Sequence, residues 1–262
     1  VMYNRGMATI ISFSNQKGGV GKTTTCVNTA AYIAAAGKKV LVVDMDPQGN
    51  ASSSLGFFDR TDKKSVYEAL CGNEDVKDVV KKTEVDNLFA ITSSKDLAGA
   101  ELELAQVVIG RERVLDEKLK EIGDEYDFVF IDCPPSLGLL TVNALAASDG
   151  IIVPIQCEYF ALEGLSQMMN TIKLVKKFLK PDVEVEGVVL TLYDGRAKLG
   201  RGVTEEIDKV FGEKVYKTKI PRNVRLAEAP SYGKTIMQYD RRCAGAQAYE
   251  KLANEILQRI KK

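Results

Sequence analysis

Residues 15–24 read Asn-Gln-Lys-Gly-Gly-Val-Gly-Lys-Thr-Thr, and they are the most informative part of the sequence about the fold. A β-rich apolar run, residues 8–13, precedes it, and residues 23–36 carry alanine, valine and isoleucine at helical spacing. A glycine-rich loop between a strand and a helix surrounds an anion with backbone N–H groups and the positive end of the helix dipole. The stretch therefore predicts a phosphate-binding loop, in which Lys22 reaches the β- and γ-phosphates of a nucleotide and Thr23 ligates Mg²⁺.

The loop departs from the usual pattern G-x-x-x-x-G-K-[ST]. Gln16 stands where that pattern has glycine, and an additional lysine, Lys17, follows it. A second cation beside a phosphate site would repel Lys22 unless it neutralised further anionic charge, so we interpret Lys17 as functional rather than as an exposed loop lysine. The predicted nucleotide-binding residues of the loop are Lys17, Gly18, Gly19, Val20, Gly21, Lys22, Thr23 and Thr24.

Three aspartates follow apolar runs. Residues 40–43 lead into Asp44 and Asp46, and residues 128–131 lead into Asp132. Ligands of parallel sheets gather at the carboxyl ends of the strands, and alternation along a strand places Asp44 and Asp46 on the same side. One of these two carboxylates would support the magnesium shell and the other would position the attacking water. Asp132 would order magnesium, usually through water. The competing interpretation of the first pair is a solvated turn rich in Asp, Pro and Gly.

Short apolar runs recur along the chain, and most are separated by longer stretches with helical spacing. They occupy residues 8–13, 40–43, 128–131, 151–155 and 188–192. This rhythm is typical of a parallel sheet covered by helices. The sequence therefore predicts an α/β fold, with a mostly parallel, helix-flanked twisted sheet of the P-loop NTPase type. Residues 59–123 are expected to form surface helices around a short strand at residues 88–91.

The chain has 262 residues, 45% of them hydrophobic and 27% charged, which is enough to bury a full core. We expect one domain over residues 1–262, with residues 1–6 as an extension or an expression remnant, since Met7 opens the first strand. No stretch approaches the roughly 18 to 20 consecutive apolar residues of a membrane span, and the N-terminus lacks a secretory pattern. These features favour a soluble, cytoplasmic protein.

Two residue types restrict the chemistry. Histidine is absent, so catalysis has to use carboxylates, lysines, backbone amides or a bound ion. The five cysteines contain no C-x-x-C pair, which indicates buried thiols rather than a disulfide framework or a zinc site.

Charge is distributed unevenly along the chain. From Lys173 onward there are 20 Lys and Arg and 12 Asp and Glu, a net charge of +8, and the preceding part carries −8. This asymmetry raises the possibility of a basic surface for nucleic acid or an anionic membrane, although scattered solvated lysines give the same count.

Four motifs in order carry a family resemblance. Residues 17–24, residues 44–50 (DMDPQGN) and residues 131–135 (IDCPP) resemble the ParA/MinD superfamily of deviant Walker ATPases. Residues 220–231 (IPRNVRLAEAPS) are similar to a signature of its Soj/ParA chromosome-partition branch. The resemblance runs from about Ala8 to Leu257 and implies slow, Mg²⁺-dependent hydrolysis of ATP to ADP and phosphate.

The resemblance also implies roles for individual residues. It implies a nucleotide-sandwich homodimer, in which Lys17 of each subunit contacts the phosphates held by the other and Gly18 lies at the interface. Asp46 would position the hydrolytic water, and Asp44 and Asp132 would assist magnesium. The adenine site would be lined by Pro221, Arg222 and Asn223.

In such proteins the ATP-bound dimer binds double-stranded DNA without sequence preference, and a ParB-type centromere-binding partner stimulates hydrolysis and releases it. The resemblance thus implies a nucleoid-associated protein that segregates or positions a chromosome or plasmid, without stable membrane association. Candidate phosphate contacts are Arg196, Arg201, Arg222, Lys234, Arg241 and Arg242.

Three alternatives stay open. A MinD-like membrane-cycling ATPase would need an amphipathic C-terminal helix, and one apolar face is formed by Tyr249, Leu252, Ala253, Ile256, Leu257 and Ile260, for which core packing is favoured. A relative of the nitrogenase iron protein would hold a cluster with thiolates, but Cys133 lacks a matching cysteine pattern. A DNA-binding regulator of replication initiation, transcription or sporulation would use hydrolysis only as a timer.

Overall fold

The computed structural model describes residues 7–59, 61–72, 74–158, 161–195 and 198–260. The strands of this part are β1 Thr9–Phe13, β2 Val40–Asp44, β3 Val80–Lys82, β4 Leu88–Ile91, β5 Phe128–Asp132, β6 Gly150–Gln156 and β7 Glu184–Thr191. The helices are α1 Lys22–Ala35, α2 Asn50–Ser54, α3 Val66–Leu70, α4 Ala100–Leu104, α5 Val114–Lys120, α6 Leu139–Ala147, α7 Ala161–Phe178, α8 Lys198–Phe211, α9 Val224–Glu228, α10 Ile236–Tyr239 and α11 Ala244–Ile260. Short 3-10 helices lie at Lys95–Ala98, Gly212–Lys214 and Ala229–Tyr232.

The described strands form one sheet in the order β3-β4-β2-β5-β1-β6-β7, and only β3 runs antiparallel to its neighbour. This confirms the predicted α/β fold with a mostly parallel, helix-flanked sheet. The loop after β1 emerges near the middle of the carboxyl edge, because β1 lies between β5 and β6. The sequence prediction missed β3, since three residues at a sheet edge are too few to show alternation.

Alternation along β2 divides the core into two layers. Val40 and Val42 belong to a cluster with residues of α1 and α11, whereas Leu41 and Val43 belong to a cluster with residues of α5 and α6. Strands β1, β2 and β5 are buried along their whole length, as expected for parallel strands covered on both faces. A third cluster joins β6 and β7 to α7 and α8.

The C-terminal helix α11 buries its apolar face in the first of these clusters. Tyr249, Leu252 and Ile256 pack there, and Tyr249 Oη lies 3.2 Å from Thr25 Oγ1 of α1. The side chains that the membrane alternative requires are therefore packed against protein. Among the described helices, none combines the length and apolarity needed to cross a membrane.

An extended segment runs along the outer edge of β7. The amide of Tyr216 donates to the Val188 carbonyl at 2.9 Å, and the amide of Ile220 donates to the Leu190 carbonyl at 2.8 Å. Tyr193 and Pro221 then form a parallel bridge just beyond the end of β7. The segment thereby carries residues 221–223 toward the carboxyl edge of the sheet.

All five cysteines are free thiols. Cys26 and Cys133 are buried, as the sequence predicts, whereas the other three are only half-buried. Cys71 and Cys243 lie beside the ends of α3 and α11, and Cys157 directly follows β6, so each borders a solvent-accessible loop.

Candidate nucleotide site at the carboxyl edge

The predicted phosphate loop and the three predicted carboxylates meet at one edge of the sheet. Asp44 at the end of β2 is the register partner of Asp132 at the end of β5, and Asp132 is also the partner of Phe13 at the end of β1. The loop of residues 14–21 begins directly after Phe13. Neighbouring parallel strands therefore bring together residues that lie about 90 to 120 positions apart in the sequence.

Backbone geometry explains two glycines of the loop. Gly19 has φ of 74° and Gly21 has φ of 85°, and side chains are strained in this left-handed region. Gly21 is also the N-cap of α1, and it offers no side-chain acceptor to the first-turn amides of the helix. These amides and the helix dipole face the loop, so this end of α1 is suited to an anion.

The loop is fixed to two strands by hydrogen bonds. Asn15 Nδ2 donates to the Pro154 carbonyl at 2.7 Å, and Thr191 Oγ1 donates to the Val20 carbonyl at 2.7 Å. These bonds join the loop to β6 and β7. The sequence singled out neither Asn15 nor Thr191 for this role, because each contact spans more than 130 residues.

Lys22 lies inside the loop. Its residue is 6% exposed, and its Nζ donates to the Lys17 carbonyl at 3.1 Å. Burial lowers the pKa of Lys22, and the nearby Asp132 carboxylate partly offsets this effect. The ammonium group is thus held inside the loop, and its contact with phosphate oxygens remains a prediction.

The predicted magnesium residues Thr23 and Asp132 are in direct contact. Thr23 Oγ1 donates to Asp132 Oδ2 at 2.7 Å. Burial and the neighbouring Asp44 raise the pKa of Asp132 well above its usual range. Asp132 Oδ1 is buried and has no hydrogen-bond partner in the described part of the chain. A buried carboxylate oxygen without a partner fits a cation or its water shell, which would also favour the ionised form.

The described residues contain no group of three or more His, Cys, Asp or Glu side chains that could hold a metal ion. Mg²⁺ is commonly bound through one or two protein oxygens and a nucleotide.

Asp44 is committed to hydrogen bonds within the loop that follows β2. Its Oδ2 accepts from Ser52 N at 2.8 Å and from Ser52 Oγ at 2.6 Å, and its Oδ1 accepts from Asp46 N at 3.2 Å. Burial raises the pKa of Asp44 to about 6, although these hydrogen bonds act in the opposite direction. The predicted contribution of Asp44 to the magnesium shell remains a prediction.

Two serines that sequence reasoning missed complete this network. Ser93 N donates to Ser52 Oγ at 2.9 Å, and Ser93 Oγ donates to the Asp46 carbonyl at 2.8 Å. The side chain of Asp46 is buried, and its Oδ1 accepts from Gln48 N at 2.9 Å. The position of Asp46 is therefore fixed from both its backbone and its side chain.

Lys17 points away from this buried network. Its Nζ lies 2.9 Å from Glu158 Oε2, and the two side chains are 36% and 48% exposed. The hydrogen bond from Lys17 is the main cause that lowers the pKa of Glu158, and Gln156 Nε2 donates to the other carboxylate oxygen. The sequence did not identify Glu158, since 141 residues separate the pair. Gly18 is exposed, and a Cβ at that position would lie 4.0 Å from Pro135 Cβ.

The predicted adenine residues have different environments. Pro221 bridges to Tyr193 as described, and Arg222 is exposed. Asn223 is the N-cap of α9, where its Oδ1 accepts from Arg225 N at 2.9 Å. Their adenine contacts remain a prediction.

The candidate DNA contacts divide into two groups. Arg196 lies outside the described residues, and for Arg201 only the backbone, in α8, is described. Arg222, Lys234, Arg241 and Arg242 are exposed, and none of them forms an ion pair within the described part of the chain. Other basic residues of the C-terminal part are paired with carboxylates, namely Lys176, Lys180, Lys209, Lys214, Arg225 and Arg259.

Comparisons with known proteins agree with this geometry. A family model described as an AAA domain matches residues 8–185. The sporulation initiation inhibitor protein Soj of Bacillus subtilis is 55% identical over 250 residues, covering 95% of this chain and 98% of that protein. The chromosome-partitioning ATPase Soj of Treponema pallidum is 51% identical and covers 97% and 98%. A crystal structure of cobyrinic acid a,c-diamide synthase from Mycobacterium smegmatis with ADP and magnesium matches with a TM-score of 0.85 at 35% identity, covering 98% and 96%.

Proposed function

The chain belongs to the Soj/ParA family of chromosome-partitioning ATPases, and we propose that it is a nucleotide-controlled partition switch. In this proposal ATP and Mg²⁺ drive formation of a homodimer, the dimer binds DNA without sequence preference, and hydrolysis ends the bound state. The observation that carries the proposal is the contact of Thr23 with Asp132 beside the uncapped N-terminus of α1, where Asp132 Oδ1 lacks a partner among the described residues.

Binding follows from the loop. The backbone amides of residues 18–24 enclose the phosphates, and Lys22 neutralises their charge. Thr23 and Asp132 would hold the magnesium ion, and the chemistry it would supply is neutralisation of the charge on the terminal phosphate. Residues 221–223 border the adenine.

Hydrolysis depends on two carboxylates, Asp44 at the end of β2 and Asp46 just after it. Asp46 positions the attacking water, because its own position is fixed by Ser93 and Gln48. Asp44 would support the magnesium shell indirectly, since its oxygens already accept three hydrogen bonds from Ser52 and Asp46. Catalysis of this kind depends on positioning and electrostatic stabilisation, without a covalent intermediate on the protein.

In this proposal Lys17 is the residue that links the two subunits of the dimer. Its ammonium group is exposed and paired with Glu158, so it is available for exchange onto an anion with more charge. We assign that anion to the phosphates held by a second subunit, with Gly18 at the interface.

DNA binding draws on the unpaired cations of the C-terminal part. Lys234, Arg241 and Arg242 form no ion pair with a described carboxylate, so counterion release on their binding to phosphates is not opposed by a broken ion pair, whereas Arg222 also interacts with the Glu158 carboxylate. Pairing two such surfaces in a dimer strengthens the contact. A ParB-type partner would stimulate hydrolysis, and the ATP-bound protein would associate with the nucleoid.

A DNA-binding assay with ATP, with ADP and without nucleotide, over a salt series, tests this proposal. Asp46→Ala slows turnover and holds the ATP state, and Lys17→Ala removes the group assigned to the second subunit. We expect binding with ATP only, with affinity falling about 10³-fold between 50 and 200 mM salt if about six phosphates are contacted. Binding that is independent of nucleotide, or no binding while ATP is bound, would contradict the proposal.

A second candidate function is a DNA-binding regulator of replication initiation or sporulation, and its sporulation part is favoured by the similarity to a sporulation initiation inhibitor of Bacillus subtilis. The same assay separates the two, since a regulator with a defined target prefers one sequence at high salt. The partition switch shows equal affinity for unrelated duplexes.

A further inference from the structure

We propose that Glu101 is a positioning residue for ATP turnover, because its carboxylate holds the N-terminus of α6, the helix that follows the loop after Asp132. Glu101 lies in α4, and its Oε1 accepts from Leu140 N in the first turn of α6 at 3.3 Å. Helix α6 begins directly after residues 133–138, which connect it to the end of β5. The inference rests on the proposed role of Asp132 and adds a residue 31 positions upstream of it.

The N-terminus of α6 has no capping side chain and no acidic residue of its own. Its first turn, Leu139, Leu140 and Thr141, contains no acidic residue, and its N-cap Gly138 has no side chain. A carboxylate at this end both accepts an otherwise free N–H and interacts favourably with the helix dipole. Glu101 supplies this group across 39 residues of sequence.

Gly138 is explained by the same contact. Its φ of −77° and ψ of −172° are open to any residue, so the backbone does not require glycine. A Cβ at this position would lie 2.0 Å from Glu101 Oε1, which is well inside contact distance. The absence of a side chain at Gly138 is therefore what admits the Glu101 carboxylate to the helix.

The anchored helix in turn fixes the loop beside the phosphate site. Thr141 Oγ1 of α6 donates to the Ser136 carbonyl at 2.7 Å. The neighbouring Pro135 is the residue that faces Gly18 of the phosphate loop. Glu101 thus acts on the site through α6 and through residues 133–138, which follow Asp132 and pass beside Gly18.

Paired substitutions distinguish positioning from simple helix capping. We expect Glu101→Ala and Gly138→Ala each to lower kcat about tenfold, with KM for ATP changed by less than about twofold, since a displaced site loses turnover before binding. Glu101→Gln keeps an oxygen that accepts from Leu140 N and is expected to retain most of kcat. The double variant is expected to match the single variants, because both remove the same contact.

The matched control is Glu103→Ala. Glu103 also lies in α4, but its Oε1 accepts from Tyr67 Oη at 2.8 Å, so wild-type kcat is expected. Each variant is measured as the full chain with DNA, at a temperature where its circular dichroism matches that of the wild type. Unchanged kcat in Glu101→Ala or Gly138→Ala, an equal loss in Glu103→Ala, or multiplied losses in the double variant would overturn the inference. Lack of ATP turnover in the wild type would instead overturn the proposed function.

Discussion

The two lysines of the phosphate loop lie five residues apart and have opposite environments. Lys22 is almost fully buried and donates to the Lys17 carbonyl, close to Asp132 and Asp46. Lys17 is half-buried on the outer side of the loop, and among the described residues its ammonium pairs with the exposed Glu158 carboxylate alone. The inner half of the site is thus pre-organised within one subunit, whereas the outer half is held by an interaction that another anion can replace.

The largest expected effect separates the two lysines by function. Lys22→Ala should weaken ATP binding and lower turnover at least about 100-fold, because a buried cation beside the phosphates is lost. Lys17→Ala should lower turnover to a similar extent but leave ATP binding by the monomer within about threefold. Titration of a fluorescent ATP analogue and a phosphate-release assay measure the two quantities. Equal losses of ATP binding in both variants would remove the distinction between the inner and outer halves.

The buried half should also give the nucleotide-free protein a pH-dependent stability. Burial raises the pKa of Asp44 to about 6, above the value of about 3.9 for an unfolded chain. The folded state therefore binds the proton more tightly, so the contribution of Asp44 to stability is present below pH 4 and is lost as the pH rises through about 6.

Asp44→Asn cannot titrate, so the free energy of unfolding of the wild type should fall relative to this variant by about 2 to 3 kcal/mol between pH 4 and pH 7. Urea unfolding without nucleotide at several pH values measures the difference. Parallel pH curves for the two proteins would show that the carboxyl edge is less buried than the structure indicates.

The smallest change in the free energy of unfolding is expected for the ion pair of the outer half. Glu158→Gln removes the charge that pairs with Lys17, and an exposed pair of this kind contributes less than about 1 kcal/mol to the free energy of unfolding. Urea unfolding without nucleotide measures this contribution. A loss of about 2 kcal/mol or more would mean that the ion pair contributes as much to the free energy of unfolding as we expect for Asp44.

The sequence predicts the inner half of the site far better than its supports. Lys22, Thr23, Asp44, Asp46 and Asp132 each stand at the end of a strand or the start of a helix, so local pattern and the rule for parallel sheets bring them together. Their supports depend on single contacts across distant parts of the chain, which no local pattern marks. These are Ser52, Ser93 and Glu101, and the same limit applies to Glu158 in the outer half.

The charge count shows a similar limit. The excess of basic residues after Lys173 indicates a basic surface, but composition does not tell paired cations from unpaired ones. The structure makes this distinction, since Arg225 lies against Glu228 whereas Arg241 and Arg242 have no ion-pair partner among the described residues. The ion pairs seen in the structure therefore restrict the candidates for DNA binding to the basic residues that have no such partner.

Mixing two inactive variants tests most directly whether Lys17 acts in the site of a second subunit. In a mixed dimer of Lys17→Ala and Asp46→Ala, the Lys17→Ala subunit keeps its own Asp46 and receives Lys17 from its partner. One site of each mixed dimer is then intact, so an equimolar mixture should recover roughly a quarter of wild-type turnover, since half of the dimers are mixed. Turnover no higher than that of either variant alone, while differently tagged subunits copurify with ATP, would contradict the account.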